Sequence, residues 1–261
     1  MEHIYPAFER GRIMKKELLW ALRDYSYSAL QLRYQDYPDG IISGCRVKVR
    51  DNQLIVGTGI IKCQDFIFLL TEEEQVAYAP TEVFVSLKFR VKSAEEMPDY
   101  TRYVTEFVLD KNLERAQNEL EICRFKLKEG ARLRTEYKDF YDIQTEFDTV
   151  NLADADWAGR GGKTLSKEIT DCFARKVLEC REAEGEDIQF ASLLLQSREA
   201  VPREIIGGYI SRKTGVQQSN QEFVGKEFFW KMEEILDGIR KGVGNCSTGR
   251  AVTDNRMIIL D

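Results

Sequence analysis

The segment that most resembles a chemical motif runs from residue 159 to residue 164, with the sequence GRGGKT. Glycines followed by lysine and threonine are typical of the end of a phosphate-binding loop. The motif is incomplete, because Trp157 stands where such a loop has its first glycine and the upstream sequence NLADAD is polar. Two interpretations therefore stay open: a nucleotide site at Gly162, Lys163 and Thr164, or a flexible glycine linker that leads into a helix.

Other catalytic groups are sparse. The chain has one histidine, His3, which excludes a two-histidine metal site within one copy. Because His3 lies at the N-terminus of the sequence, we do not expect a Ser-His-Asp triad or a Cys-His pair either. A fold can bring carboxylates together, but Asp154, Asp156 and the run at residues 72–74 are explained more simply as solvated loop charges. We predict a protein that is not an enzyme and has no catalytic residue, metal or cofactor.

The six cysteines are scattered singly, mostly at positions that fit apolar faces. This arrangement predicts small buried side chains in a reducing compartment, without disulfides or zinc. They are Cys45, Cys63, Cys123, Cys172, Cys180 and Cys246.

Composition is that of a soluble globular protein. Of 261 residues, 43% are hydrophobic and 31% charged, with a formal net charge of −6. There is no apolar run near the roughly 20 residues that span a bilayer, and the N-terminal sequence lacks the pattern of a signal peptide. We therefore predict no membrane partner and a location in the cytoplasm or in an assembled phage-like particle. The negative net charge of the chain argues against a general nucleic-acid-binding protein.

A β-rich block at residues 39–132 is predicted to organise the chain. Apolar and polar residues alternate strictly over residues 83–91, and short turns separate this stretch from other alternating segments. The connections are too short for crossover helices, which favours antiparallel pairing. The predicted fold class is α+β: an antiparallel β-sandwich or partly open barrel, preceded by a helix and followed by a helical C-terminal part.

Helical spacing flanks this block. Before it, a helix is predicted from residue 15 to about residue 34, and after it at residues 166–183, at 187–199 and from Ser219 onward, with a short strand at 257–260. The predicted divisions are a lead-in with a helix at 1–40, a β domain at 41–134, a bridge and linker at 135–162, and a helical domain at 163–261.

Two sets of exposed side chains are candidates for binding. Cations recur on the polar faces of three strands, and in one sheet they would form a basic surface for an acidic partner or a phosphate backbone. The alternative is a solvated face with acidic neighbours. Tyr25 and Tyr27 in the first helix either pack at a helix–sheet boundary or form a protein contact surface. The cations are Arg46, Lys48, Arg50, Lys88, Arg90, Lys92, Arg124, Lys126 and Lys128.

The order of these elements resembles a known group of proteins. The sequence FERGRIMKKELL followed by YPDGIISGCRVKVRDNQLIVGTGIIKCQDFIFLL is similar to the N-terminal region of baseplate proteins of contractile tail systems, including phage tail-fibre attachment proteins and the TssK-type subunits of type VI secretion. NELEICRFKLKEGARLR resembles the strand that closes such a domain. The resemblance covers about half of the chain. It implies a structural, non-catalytic docking component, a homo-oligomer whose partners are other tail or baseplate proteins.

Overall fold

A computed structural model describes residues 10, 13, 15–98, 100–215 and 225–242. The α+β class predicted from the sequence is confirmed: one helix precedes the strands, and four follow them. The predicted start of the last helix at Ser219, the strand at 257–260, His3 and Cys246 lie outside the described residues. The helices are α1 (Lys16–Arg33), α2 (Lys167–Glu179), α3 (Gly185–Gln196), α4 (Arg203–Thr214) and α5 (Gly225–Arg240), with a 3₁₀ turn at Tyr141–Gln144.

The strands form three small sheets. A five-stranded sheet has the order β11-β10-β1-β4-β5, and two three-stranded sheets have the orders β2-β3-β6 and β8-β7-β9. Neighbours pair antiparallel apart from β1 and β10, which are parallel. The strands are β1 (Gly40–Gly44), β2 (Val47–Arg50), β3 (Gln53–Val56), β4 (Gly59–Cys63), β5 (Phe66–Leu70), β6 (Glu74–Ala77), β7 (Val85–Glu96), β8 (Thr101–Asp110), β9 (Glu119–Phe125), β10 (Trp157–Gly159) and β11 (Gly162–Thr164).

The predicted turn at Asp51 and Asn52 joins β2 to β3. Both residues have positive φ, 47° and 58°, the conformation that two-residue hairpins with a type I′ turn require and that Asp and Asn tolerate well. The turn sets Arg50 opposite Gln53 and so determines the register of the hairpin.

β7 is the central strand of its sheet and is buried on both faces over residues 85–89. The alternating residues Leu87, Phe89 and Val91 are buried as predicted. The other face was predicted to be solvated, and that expectation is wrong for Ser86 and Lys88, which are fully buried. The difference arises because acidic residues of the neighbouring strands cover Lys88.

Local signals locate α2 and α5, whereas α4 was not predicted. Ser166 caps α2 by accepting a hydrogen bond from the N–H of Ile169. Gly207 and Gly208 lower the helix propensity of α4, and burial of Ile206 and Tyr209 compensates.

One hydrophobic cluster connects the sheets with the C-terminal helices. It contains Ile41 of β1, Phe125 of β9, Phe173 of α2 and Met232 of α5. The segment at residues 151–159 is buried throughout except at the half-buried Asp154. It thus contributes to this core, while the domain boundaries stay a prediction.

Candidate functional site

The glycine-rich segment at residues 159–164 is a β-hairpin and not a loop. β10 pairs with β11 from Trp157 opposite Thr164 to Gly159 opposite Gly162. Thr164 is buried and donates its hydroxyl to the carbonyl of Val201. The backbone N–H groups of a paired strand cannot converge on a phosphate as those of a loop before a helix do, so the linker and phosphate-loop interpretations both fail on geometry.

Lys163 instead joins an ionic network around the buried carboxylate of Asp156. Its Nζ lies 2.8 Å from Oδ1 of Asp156, and Nη1 of Arg115 lies 2.5 Å from the same oxygen. The other carboxylate oxygen of Asp156 accepts the N–H of Glu121 at 2.8 Å. Asp156, which the sequence suggested was a loop charge, therefore joins β9 to the β10–β11 hairpin.

The cations of the three strands do not form one surface. Arg46, Lys48 and Arg50 lie on or beside β2, whose sheet does not contain β7 or β9. The cations on those two strands are paired locally with acids of the chain. Lys88 and Arg90 contact Glu119, and Arg124 contacts Glu121 and Asp154. Lys126 contacts Glu146, and Lys126 and Lys128 both lie over the ring of Phe147. This arrangement matches the alternative of acidic neighbours and gives no support to a phosphate-binding face.

Helix α1 is the most exposed element. None of its residues is buried, and it is attached to the body through its C-terminal end. There, Arg33 pairs with Glu199 at 2.8 Å, and Tyr34 packs in a small cluster with Ile42 and Ile67. Leu18, Ala21 and Leu30 are half-buried, and every other residue of the helix is exposed.

One face of α1 carries apolar residues with alternating spacings of four and three, the spacing of a coiled-coil interface. Leu22, Tyr25 and Leu32 are 47%, 75% and 66% exposed, so the face lacks the cover that amphipathic helices normally have. We call it the α1 seam. It consists of Leu18, Leu22, Tyr25, Ala29 and Leu32.

The tyrosines of this region divide into two pairs. Tyr34 and Tyr37 make an edge-to-face contact with centroids 5.2 Å apart, which agrees with packing at a helix–sheet boundary. Tyr25 and Tyr27 do not pack there and are exposed. Tyr25 lies in the α1 seam, whereas Tyr27, nine residues from Leu18, lies about 180° away on the helix.

A groove of about 710 Å³ lies between β2, the segment 135–138 and α2. We call it the β2 groove. Its walls carry both charges, including Lys48, Lys138, Asp171 and Glu179. Five of its lining residues are apolar and more than nine-tenths buried: Ile41, Ile122, Val150, Leu152 and Trp157.

The β2 side of the groove is an open strand edge in the described part of the chain. In a two-residue hairpin, the pair that flanks the turn exchanges hydrogen bonds and the next pair does not. The backbone groups of Lys48 and Arg50 therefore form hydrogen bonds with β3. The hydrogen bond from the N–H of Gly57 to the carbonyl of Arg46 continues this alternation, because Arg46 is two residues before Lys48. The N–H and C=O groups of Val47 and Val49 consequently point away from β3, toward the groove.

The opposite wall is held by an ion pair. Both oxygens of Asp142 accept hydrogen bonds from the guanidinium of Arg134, and the N–H of Lys138 donates to Asp142 at 2.9 Å. Tyr137 donates its hydroxyl to the carbonyl of Val150 at 2.7 Å. These bonds, above all the one from Arg134, hold the pKa of Asp142 well below its ordinary value.

This pair should make stability depend on pH in the acid range. A carboxylate whose pKa is lowered by folding stabilises the protein above its unfolded pKa of about 4, and the stabilisation disappears as pH falls through the lower folded value. We expect wild type to be more stable than Asp142→Asn by about 1.5–3 kcal/mol at pH 7, the range for a hydrogen bond to a charged group. The difference should shrink steadily between pH 4 and pH 2.

Urea unfolding of the two proteins across this pH range measures the difference. Asp36→Asn is the control, because the Asp36 carboxylate is more than half exposed and lies 3.9 Å from Arg160. A gap between wild type and Asp142→Asn that is constant from pH 7 to pH 2 would contradict the assignment.

Three of the five cysteines that the structure describes are buried as predicted, and Cys172 and Cys180 are half-buried. Cys45, Cys63 and Cys123 are buried, and all five described cysteines are free. Burial raises the pKa of Cys45 to about 12 and that of Cys63 to about 11, so these thiols are protonated at neutral pH and unsuited to nucleophilic attack. Over the described ranges, no three acidic, histidine or cysteine side chains cluster as metal ligands. In the same ranges, each helix is too short or too polar to span a bilayer.

Sequence reasoning missed the β2 groove. Ile41, Ile122 and Trp157 come from three distant strands, and their convergence depends on long-range pairing. The free edge of β2 could have been inferred, because the predicted turn at Asp51 and Asn52 already sets which backbone groups face outward.

Comparison with known proteins gives distant structural similarity only. No protein-family model and no curated protein matches the chain. A crystal structure of TssK superposes with a TM-score of 0.45 and 8% identity, over 92% of this chain and 72% of that one. The TssK-TssF-TssG baseplate subcomplex of the type VI secretion system, seen by cryo-electron microscopy, gives 0.39 and 8%, over 92% and 99%. The baseplate complex from the type VI secretion system gives 0.37 and 7%, over 92% and 100%. Function must therefore be argued from the residues of this chain.

Proposed function

We propose that this protein is a non-catalytic assembly component that self-associates through the α1 seam and docks other proteins of a phage-tail-like contractile baseplate. The exposure of α1 carries the proposal. The reference to a baseplate rests on the resemblance of the N-terminal sequence to such proteins.

An uncovered helix of this length needs a partner. The 18 residues of α1 would extend about 27 Å, and in proteins most of the stability of a helix comes from packing of its apolar face. No residue of α1 is buried by the rest of the chain. A second copy would present the same spacing of apolar residues, so two or more α1 seams can interlock as a coiled coil.

The mass of the purified chain tests this proposal. We expect light scattering to give a multiple of the 30.2 kDa chain mass and Leu22→Lys with Leu32→Lys to give a monomer, because lysines at the seam would be desolvated on association. The matched control is Trp20→Lys with Tyr27→Lys. It adds two lysines to the same helix at exposed apolar positions away from the seam and should leave the oligomer intact.

A wild-type monomer at all concentrations up to about 100 µM would overturn self-association through α1. An oligomer that both double variants preserve would overturn the role of the seam. Loss of the oligomer in both would show that exposed apolar area in general, and not the seam, drives association.

A further inference from the structure

We propose that the β2 groove binds the C-terminal segment of the same chain, residues 243–261, as an additional strand beside β2. This inference does not depend on the proposed function. It assigns an occupant to the groove from four observations: the open edge, the apolar floor, the position where α5 ends and the composition of the segment.

The open edge supplies the hydrogen bonds. Val47 and Val49 direct two N–H and two C=O groups toward the groove, on the side of β2 away from β3. An extended segment that lies along a sheet edge pairs with such groups in either direction, and its main chain provides the affinity.

The floor supplies the apolar contact. Ile122, Val150 and Leu152 line the groove together with Val47 and Val49 of β2 and are among its most buried residues. Alternate side chains of an added strand would project down onto them, because side chains of a strand alternate between the two faces. The occupant should therefore be an extended segment with large aliphatic residues.

The course of α5 brings the C-terminal segment to the groove. α5 ends at Arg240, whose guanidinium lies over the ring of Tyr141. A Cβ on Gly242 would lie 3.9 Å from the side chain of Glu182, just beyond the end of α2. The last turn of α2, with Lys176 and Glu179, is one end of the groove lining. The chain thus leaves α5 next to the groove.

The segment has the length and composition to fill it. From residue 242 to residue 257 the chain can reach up to about 50 Å at roughly 3.3 Å per residue, more than the four residues of β2 require. Residues 257–260 read MIIL, rich in the β-branched and aliphatic side chains that favour strands.

Amide hydrogen exchange tests the proposal in the full chain. The monomeric background Leu22→Lys with Leu32→Lys separates it from self-association through α1. We expect the amides of Val47 and Val49 to exchange about 100-fold more slowly than in the same chain carrying Ile258→Lys with Ile259→Lys, because charged side chains cannot pack on the apolar floor.

Two controls accompany the measurement. The N–H of Gln75 points outward from β6, the opposite edge of the same sheet, and should exchange fast in every variant. Thr253→Lys with Asn255→Lys adds the same charge outside the aliphatic run and should preserve the slow exchange at Val47 and Val49.

Equal exchange rates at Val47 and Val49 with and without the two isoleucines would overturn the proposal. So would slow exchange that disappears on dilution together with a dimer mass, because that result would assign the groove to a second copy. Slow exchange at constant monomer mass that is lost only in the isoleucine variant supports it.

Discussion

Replacing Lys88 with methionine should lower the free energy of unfolding by about 3–5 kcal/mol, the cost of leaving buried charges unpaired. The Lys88 side chain is fully buried, and its Nζ donates to Asp110 at 3.1 Å, to Glu119 at 3.0 Å and to the carbonyl of Glu114 at 2.6 Å. Methionine fills a similar volume, so the loss should come from the acceptors and not from a cavity.

Among the three acceptors, Glu119 is the buried carboxylate that loses its hydrogen bond from Lys88. Burial alone would raise its pKa, but hydrogen bonds from Lys88, the N–H of Ala116 and Arg90 outweigh burial, so that the pKa is lowered. Without Lys88 part of this compensation disappears. Arg90 still contacts Glu119 at 2.7 Å, which limits the cost to the stated range.

Denaturation by urea at pH 7 measures the effect of Lys88→Met. Lys92→Met is the matched control on the same strand. Lys92 is half exposed and pairs with Glu106, so its replacement should change stability by less than about 1 kcal/mol. If Lys88→Met lowers the free energy of unfolding by less than about 1 kcal/mol, the three acceptors do not depend on Lys88 for their stability in the folded protein.

Replacing Asp156 with alanine should lower the free energy of unfolding by about 2–4 kcal/mol, because the substitution removes a buried carboxylate that accepts hydrogen bonds from three donors. The N–H of Glu121 would lose its acceptor inside the protein. Arg115 and Lys163 are partly exposed, so water can solvate both cations in the variant. The loss of unfolding free energy is therefore smaller than the sum of three hydrogen bonds to a charged group.

Asp156→Asn separates charge from shape. The amide oxygen of the introduced asparagine can still accept a hydrogen bond from the N–H of Glu121. We therefore expect Asp156→Asn to lower the free energy of unfolding by less than Asp156→Ala does, in the same unfolding experiment. Asp36→Ala should be within about 0.5 kcal/mol of wild type, since the Asp36 carboxylate is exposed and its partner Arg160 is more exposed still. Equal stability of Asp156→Ala and wild type would contradict a structural role for the network.

Several elements could be predicted because their cause is local. The spacing of Leu18, Leu22 and Tyr25 defines a helix whatever surrounds it, and α1 was found within two residues of its predicted ends. The turn at Asp51 and Asn52 and the alternation in β7 likewise depend on neighbouring residues only.

Other features could not be predicted because they depend on which surfaces meet. Helical spacing marked the α1 seam as apolar, yet nothing in that spacing says that the body of the protein leaves it uncovered. Alternation places Lys88 on the polar face of β7, but the carboxylates that cover it come from β8 and β9, and its third acceptor is a backbone carbonyl of the connection between them.

The sequence by itself thus determined the α+β class, the positions of α1, α2 and α5, and the lack of a two-histidine metal site within one chain, because propensity, periodicity and residue type are properties of a few neighbouring residues. The tertiary structure alone decided that residues 157–164 form a hairpin in the sheet of β1, that Lys88, Arg90 and Arg124 are paired with acids, and that a groove opens beside β2. These depend on contacts such as Ile41 opposite Trp157, between residues far apart in the chain. Local patterns can assign such residues to an element, but the free energy of burial decides which elements meet.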